Sequence, residues 1–305
     1  MRAKSMSRRD FLRYALAAAL IPWEEQVGMA DDILTKPIPK TGERLPVIGL
    51  GTWQTFDVGA SESARAPLRA VLREFVRAGG SVIDSSPMYG KSESVTGELA
   101  ELDVQKKIFL ATKVWTSGRD AGIRQMQESY KRLRTDKLDL LQVHNLVDYR
   151  SQLSTLRDWK AQGKVRYVGV THYTASAYDE LARVLAREDL DFVQLNYSLA
   201  ERDAEKRLLP LAAEKGLAVL INRPLAAGNL FSRVLGKPLP AWANEVGCAS
   251  WAQFFLKFVI SHSAVTCAIP ATSKVQHLSD NMRAAFGSLP DTAARERMAR
   301  YVAGL

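Results

Sequence analysis

The chain has 305 residues, of which 47% are hydrophobic, 25% charged and 8% aromatic, and these proportions exclude a disordered, collagen-like or low-complexity chain. That length suits two small domains or one large α/β barrel. The formal net charge is +9, and 37 basic against 30 acidic residues remain beyond residue 30, with no Lys/Arg run carrying interleaved aromatics, so the pattern gives no support to a nucleic-acid partner.

Residues 1–30 read differently from the rest. Ser7-Arg8-Arg9-Asp10-Phe11-Leu12 sets two arginines ahead of an apolar stretch from Tyr14 to Trp23. That stretch has the length of a signal-peptide core, and no apolar run in the chain reaches the roughly 20 residues of a membrane-spanning helix. Gly28-Met29-Ala30 offers small residues, Gly28 and Ala30, at the −3 and −1 positions of a cleavage after Ala30. The pattern resembles a twin-arginine export signal. The resemblance implies a signal at 1–30, a mature domain at 31–305, the twin-arginine machinery as a partner and a periplasmic location. An amphipathic N-terminal helix on a cytoplasmic protein is the alternative.

From residue 31 onward, short apolar runs alternate with longer amphipathic stretches. Ile33 to Ile38, interrupted by Pro37, predicts a small hairpin with its turn at Lys40-Thr41-Gly42-Glu43. Pro46 to Trp53 reads as the first main strand. Ala66, Leu68, Val71, Leu72, Phe75 and Val76 recur at helical spacing over 62–78, which Gly79-Gly80 ends. Further strands are expected at Val82–Asp84, Ile108–Thr112, Leu138–Val143, Tyr167–Val170, Phe192–Asn196, Leu217–Ile221 and Val265–Ile269. Helices fall between them near 92–102, 119–134, 151–162, 175–188, 203–215 and 249–262, the last near 278–286. Eight strictly alternating units predict a parallel sheet closed as a (β/α)8 TIM barrel in a single domain. A doubly wound open sheet is the runner-up, but no GxGxxG follows the first strand. Residues 223–248 form the longest gap and read as a loop over a site.

Active sites of such barrels lie where strands end. Asp84 ends the second strand, Lys113 follows the third and His144 follows the fourth, while Tyr89 sits in the loop Ser85-Ser86-Pro87-Met88-Tyr89-Gly90. Each alone has an ordinary explanation as a cap or a solvated rim residue. Together they suit carbonyl chemistry. An ammonium beside a phenol favours phenolate, a carboxylate fixes the ammonium, and a neutral imidazole orients a carbonyl oxygen. Cys248 and Cys267 form no CxxC pair, and His144, His172, His262 and His277 have no metal-ligand spacing, so no metal is expected.

With these residues in place the chain resembles the aldo-keto reductases. The resemblance is carried by Gly49-Leu50-Gly51-Thr52-Trp53, Ile83 to Gly90, Ala111-Thr112-Lys113, Gln142-Val143-His144-Asn145, Gly163 to Val170, Gln194-Leu195-Asn196-Tyr197, Ile269 to Lys274 and Asp280-Asn281. It implies a barrel that takes NADP or NAD without a Rossmann fold, and a catalytic set of Asp84, Tyr89, Lys113 and His144. Hydride passes to a carbonyl carbon, Tyr89 donates the proton, Lys113 and Asp84 tune it, and His144 orients the substrate. The cofactor positions it implies are Thr52, Thr171, His172, Gln194, Arg223, Leu225, Gly228, Thr272, Ser273, Lys274, His277, Asp280 and Asn281. Thr171-His172 replaces the family's usual Ser-Asn, and Asn222-Arg223 replaces its Tyr-Ser, so the aromatic that stacks on nicotinamide is absent.

Ala271 and His277 stand where NADP-preferring members often carry Lys and Arg, but Ser273 and Lys274 remain to meet a 2′-phosphate, so NADP is favoured and NAD is the alternative. Trp53, Met88 and Trp115 are candidate walls for a small carbonyl substrate. A cofactor-sensing or structural barrel with little turnover is the competing function, and the intact four-residue set argues against it.

Overall fold

The structure, a computed structural model, describes residues 32–305, so the Arg8-Arg9 motif and the Ala30 site lie outside the described residues. It opens with an antiparallel hairpin, β1 (Thr35–Pro37) paired with β2 (Arg44–Pro46). Eight parallel strands follow: β3 (Leu50–Gly51), β4 (Val82–Asp84), β5 (Phe109–Val114), β6 (Leu138–His144), β7 (Val165–Thr171), β8 (Phe192–Asn196), β9 (Ala218–Asn222) and β10 (Cys267–Ala268). They neighbour one another in chain order. The last strand returns to the first, because Gly49 N–H donates to the Ala268 carbonyl at 2.8 Å, Ala268 N–H to Val47 at 2.9 Å and Gly51 N–H to Pro270 at 3.0 Å. The sheet is therefore a closed (β/α)8 barrel, as expected, and the open-sheet alternative fails on that closure.

Alternation along each strand sorts the side chains into two shells. Val82, Phe109, Ala111, Leu140, Tyr167, Phe192, Ala218, Leu220, Cys267 and Ile269 form the inner cluster, which the hairpin joins through Ile38 and Leu45. Ile83, Leu110, Leu141, Val143, Val168, Val170, Val193, Leu195, Val219 and Ile221 belong to the outer cluster with the helices. Lys36 of the hairpin fixes the plug by donating to the carbonyls of Ile260, His262 and Val265 at 2.7, 2.8 and 2.7 Å. The inner shell is packed tightly enough to demand a glycine in β7. A Cβ on Gly169 would stand 2.7 Å from the Phe192 carbonyl oxygen, which is backbone and cannot move aside. Gly169→Ala is expected to cost about 1–3 kcal/mol of stability, as overpacking does, and urea denaturation reads this directly.

The surrounding helices are α1 (Glu62–Arg77), α2 (Ser92–Leu99), α3 (Leu102–Gln105), α4 (Arg119–Leu133), α5 (Tyr149–Ala161), α6 (Tyr178–Arg187), α7 (Leu208–Glu214), α8 (Asn229–Arg233), α9 (Trp251–Ile260), α10 (Val275–Arg283) and α11 (Thr292–Ala303). Several differ from the sequence expectation. The helix expected over 92–102 stops at Leu99, where Ala100 turns extended, and a separate turn follows. The stretch 203–215 divides into a 3-10 turn and α7 at Arg207, whose φ of −145° is not helical, and Pro210 then sits in the first turn of α7. The last expected helix begins earlier, at Val275. The first main strand shortens to Leu50–Gly51, and Ile48 and Gly51 bridge singly to Ala268 and Ala271 at the other end of the sheet. Counting eight units leaves out α11, which Asp291 caps by accepting from Ala294 N–H at 2.8 Å and which buries Met298, Ala299 and Val302. The loop 223–248 holds α8 and two 3-10 turns, at Ala226–Gly228 and Ala241–Val246. Among the described residues no helix is long and apolar enough to cross a membrane.

Candidate active site

Strand register builds the site. Lys113 lies level with Gln142, and His144 with Thr171, which in turn lies level with Gln194. Lys113 and Asp84 are both shut away from solvent, with Lys113 Nζ 2.6 Å from Asp84 Oδ2 and 2.7 Å from the Ser85 carbonyl oxygen. The other carboxylate oxygen accepts from Gln194 Nε2 at 2.9 Å and Gln142 Nε2 at 3.4 Å. Every charge in this buried pair therefore has a partner, which is what makes its burial tolerable. Burial alone would push the Lys113 ammonium down, but Asp84 and Tyr89 together hold it above its ordinary range.

Tyr89 comes from the loop that joins β4 to α2. Its N–H donates to the Ser86 carbonyl at 3.0 Å and its own carbonyl accepts from Ser92 N–H at 3.1 Å. Gly90 lies beside it at φ +59°, where a Cβ would collide with the Asp57 carboxylate, and that carboxylate accepts from Lys91 N–H at 3.0 Å. Lys113 Nζ lies 5.0 Å from the centre of the Tyr89 ring, and that ring meets His144 edge-on at 5.9 Å. The sequence reading expected the ammonium to lower the phenol pKa. It does pull in that direction, but burial outweighs it and the net shift is upward. The phenol therefore keeps its proton at neutral pH.

His144 Nδ1 lies 3.1 Å from Ser86 Oγ. Burial first, then the Lys113 ammonium and His172, push its pKa down to about 2. A neutral imidazole and a protonated phenol backed by a cation thus face one rim. Such a set can hold a carbonyl oxygen and deliver a proton to it.

The residues expected around a cofactor fall into two groups. In the first, at the strand ends, Thr52 is buried, and its Oγ1 donates to the Asp84 carbonyl at 3.1 Å and lies 2.9 Å from Ser85 Oγ, so it braces the Asp84 strand. Thr171 Oγ1 donates to Gln194 Oε1 at 3.1 Å, which leaves the Gln194 amide engaged at both ends. His172 Nδ1 accepts from the N–H groups of Tyr173 at 3.0 Å and Thr174 at 3.3 Å. This ring nitrogen imitates the oxygen of an asparagine in a turn, and the proton of the neutral ring then belongs on Nε2. Arg223, at φ +51°, lies 3.3 Å from Glu201 and keeps a buried Nε without a hydrogen-bond partner, as does Asn222 Oδ1. Leu225 and Gly228 follow in the same loop, half-buried.

The second group surrounds the start of α10. Thr272 Oγ1 accepts from Lys274 N–H at 3.1 Å, and Ser273, Lys274 and His277 are exposed. Asn281 is buried. Asp280 secures the cap of α9, its two oxygens accepting from Ser250 Oγ at 2.7 Å and Gln253 Nε2 at 2.6 Å. Trp53, Met88 and Trp115 are exposed at 46%, 41% and 42%. Gln125 clamps the Trp115 backbone, accepting from its N–H at 2.6 Å and donating to its carbonyl at 3.2 Å.

Two contributors lie within the family's motifs but were given no place in the site by the sequence reading: Gln142, which lies two residues before His144 on the same side of β6 and donates to Asp84, and Ser86, whose hydroxyl meets His144. Tyr173, whose N–H donates to His172 Nδ1, lies in a loop with no period to mark it.

Residues 47–296 match the model of the Aldo/keto reductase family. The chain belongs to that family. A methylglyoxal reductase of Escherichia coli, YeaE, is 34% identical to this aldo/keto reductase over 247 residues, covering 78% of this chain and 84% of its own. An NADH-specific methylglyoxal reductase of the same organism is 26% identical, covering 69% and 73%. Among solved structures, an aldo-keto reductase of Klebsiella pneumoniae in complex with NADPH is 28% identical, covers 90% of this chain and 96% of its own, and superposes with a TM-score of 0.76.

Proposed function

We propose that this aldo/keto reductase reduces a small aldehyde or ketone with NADPH, with Tyr89 as proton donor. The observation that carries the reading is the buried Lys113–Asp84 pair, with Lys113 Nζ 5.0 Å from the centre of the Tyr89 ring and His144 edge-on to that ring at 5.9 Å. His144 fixes the carbonyl oxygen, Tyr89 hands it a proton, and Lys113, held by Asp84, stabilises the phenolate that remains. The residues present suit a nicotinamide dinucleotide. Asn222 and Arg223, where β9 ends, keep buried polar atoms without a hydrogen-bond partner, and an exposed lysine opens a nine-residue helix at the other group. The bound nicotinamide supplies the hydride. Short 2-oxoaldehydes are the first substrates to try, because two curated relatives are methylglyoxal reductases. Loss of reduced-nicotinamide absorbance with methylglyoxal and a panel of simple aldehydes tests the activity, and no turnover with any carbonyl would refute it.

The NADP preference rests on Lys274 and Ser273. Lys274→Ala is expected to weaken NADPH at least about tenfold while leaving NADH nearly unchanged, since a charge-assisted hydrogen bond contributes roughly 1.5–3 kcal/mol. Fluorescence titration with both cofactors decides it, and equal losses would remove the basis for the preference.

We further propose that residues 1–30 export the protein by the twin-arginine route to the periplasm. The support is the Ser7-Arg8-Arg9-Asp10-Phe11-Leu12 string ahead of an apolar stretch. That route carries folded proteins, so the barrel can take its cofactor before it leaves the cytoplasm. Arg8→Lys with Arg9→Lys should keep an active protein in the cytoplasm, whereas the unaltered chain should fractionate with the periplasm. An unaltered chain found wholly in the cytoplasm with residues 1–30 attached would defeat this reading and leave the reductase intact.

A further inference from the structure

Helix α2 buries polar side chains where a barrel helix ordinarily buries apolar ones: Ser92, Glu93 and Thr96 are all shut away from solvent. A fully buried carboxylate is costly unless its contacts repay it. Glu93 Oε1 accepts from Thr112 Oγ1 at 2.6 Å, and Arg132 stands 3.7 Å from the other oxygen. Thr112 is the residue before Lys113. Its side chain points outward from β5 because that of Lys113 points inward.

Ser92, the residue before Glu93, donates from Oγ to the Thr52 carbonyl at 3.2 Å. Thr52 Oγ1 in turn donates to the Asp84 carbonyl at 3.1 Å, and Asp84 holds Lys113. The hydrogen bonds and the adjacent peptide units make a closed circuit: Lys113, Asp84, Thr52, Ser92, Glu93, Thr112 and back to Lys113. Tyr89 hangs from this circuit, because its carbonyl accepts from Ser92 N–H. The one link in the circuit that crosses from α2 directly to the strand bearing Lys113 is the bond between Glu93 and Thr112.

We propose that Glu93 is a positioning residue for the reduction, acting through Thr112 to tie the helix behind Tyr89 to the strand that carries Lys113. The inference rests on the reductase reading above. Glu93 itself lies behind the barrel wall and need not touch substrate or cofactor. Its role is to hold the distance between the phenol and the ammonium, and misplacement of reacting groups by about 1 Å can cost on the order of a hundredfold in rate.

The test compares Glu93→Ala, Glu93→Gln and Thr112→Val in the full-length enzyme. Glu93→Ala and Thr112→Val should each lower kcat at least about tenfold, with the KM for the carbonyl and the Kd for the cofactor held within about twofold. Glu93→Gln keeps an acceptor for Thr112 and should restore most of kcat. In a Tyr89→Phe background, Glu93→Ala should cost less than about twofold more, because residues that act as a unit are not additive. A merely structural role would lower thermal stability and leave the loss undiminished without the Tyr89 hydroxyl. Should Glu93→Ala fail to fold, the near-isosteric Thr112→Val carries the same test. Wild-type kcat in Thr112→Val, no rescue by glutamine, or an undiminished loss in the Tyr89→Phe background would each overturn the proposal. An unaltered enzyme inert toward every carbonyl would instead sink the reductase reading and take this inference with it.

Discussion

Tyr89→Phe should slow carbonyl reduction by at least about 10²-fold, the low end of what a positioned acid contributes. The substitution keeps the ring that meets His144 edge-on at 5.9 Å and removes only the transferable proton. Cofactor affinity should be nearly unchanged, because none of the residues assigned to the cofactor packs through the Tyr89 hydroxyl. The proposed donor role suits a phenol whose pKa burial pushes above the usual range while Lys113 pulls the other way. It therefore holds its proton until a carbonyl oxygen gains charge, and the ammonium then stabilises what is left. Steady-state kinetics with a saturating reduced cofactor measure the effect, and a variant as fast as the parent would transfer the donor role elsewhere.

Lys113→Met should damage both activity and stability. Methionine fills much of the lysine volume but removes the cation that Asp84 Oδ2 meets at 2.6 Å in a place closed to solvent. Breaking a buried ion pair by removing one partner costs roughly 3–5 kcal/mol, because the remaining charge is left uncompensated. The two glutamine amides on the opposite oxygen soften this loss without replacing a charge. Pairing Lys113→Met with Asp84→Asn should recover part of the stability and none of the activity, since no lone charge is then buried but the phenolate still lacks its cation. Urea denaturation and initial rates on the single and double variants separate the two consequences. A single variant as stable as the parent would mean that Asp84 is protonated or hydrated once Lys113 is gone.

The sequence determined the barrel because its signal is local and repeated. Apolar runs and amphipathic stretches alternate eight times, and each run is of strand length and buried almost throughout, as in a parallel sheet covered on both faces. The ends of those runs put Asp84, Lys113 and His144 at the strand ends, and the family's motifs supplied their company. Where a turn depends on a single backbone angle, the residue order was less informative. The break at Arg207 and the early stop at Leu99 belong to this class, and α11 was missed because nothing in an eight-unit count calls for a ninth outer helix.

Only the tertiary structure decided how those residues act on one another. The closure of the sheet rests on hydrogen bonds between Gly49, Gly51 and residues more than two hundred positions away. The upward shift of Tyr89 depends on how deeply its hydroxyl is buried, which composition and spacing do not encode. Asp280, which the family resemblance places at the adenine end, also accepts from Ser250 and Gln253 and so braces the start of α9. The circuit through Thr52, Ser92, Glu93 and Thr112 links three segments that have no common period. Periodicity reports which face a residue lies on, but a pKa or a hydrogen-bond circuit is fixed by distances between faces, and those exist only once the barrel has closed.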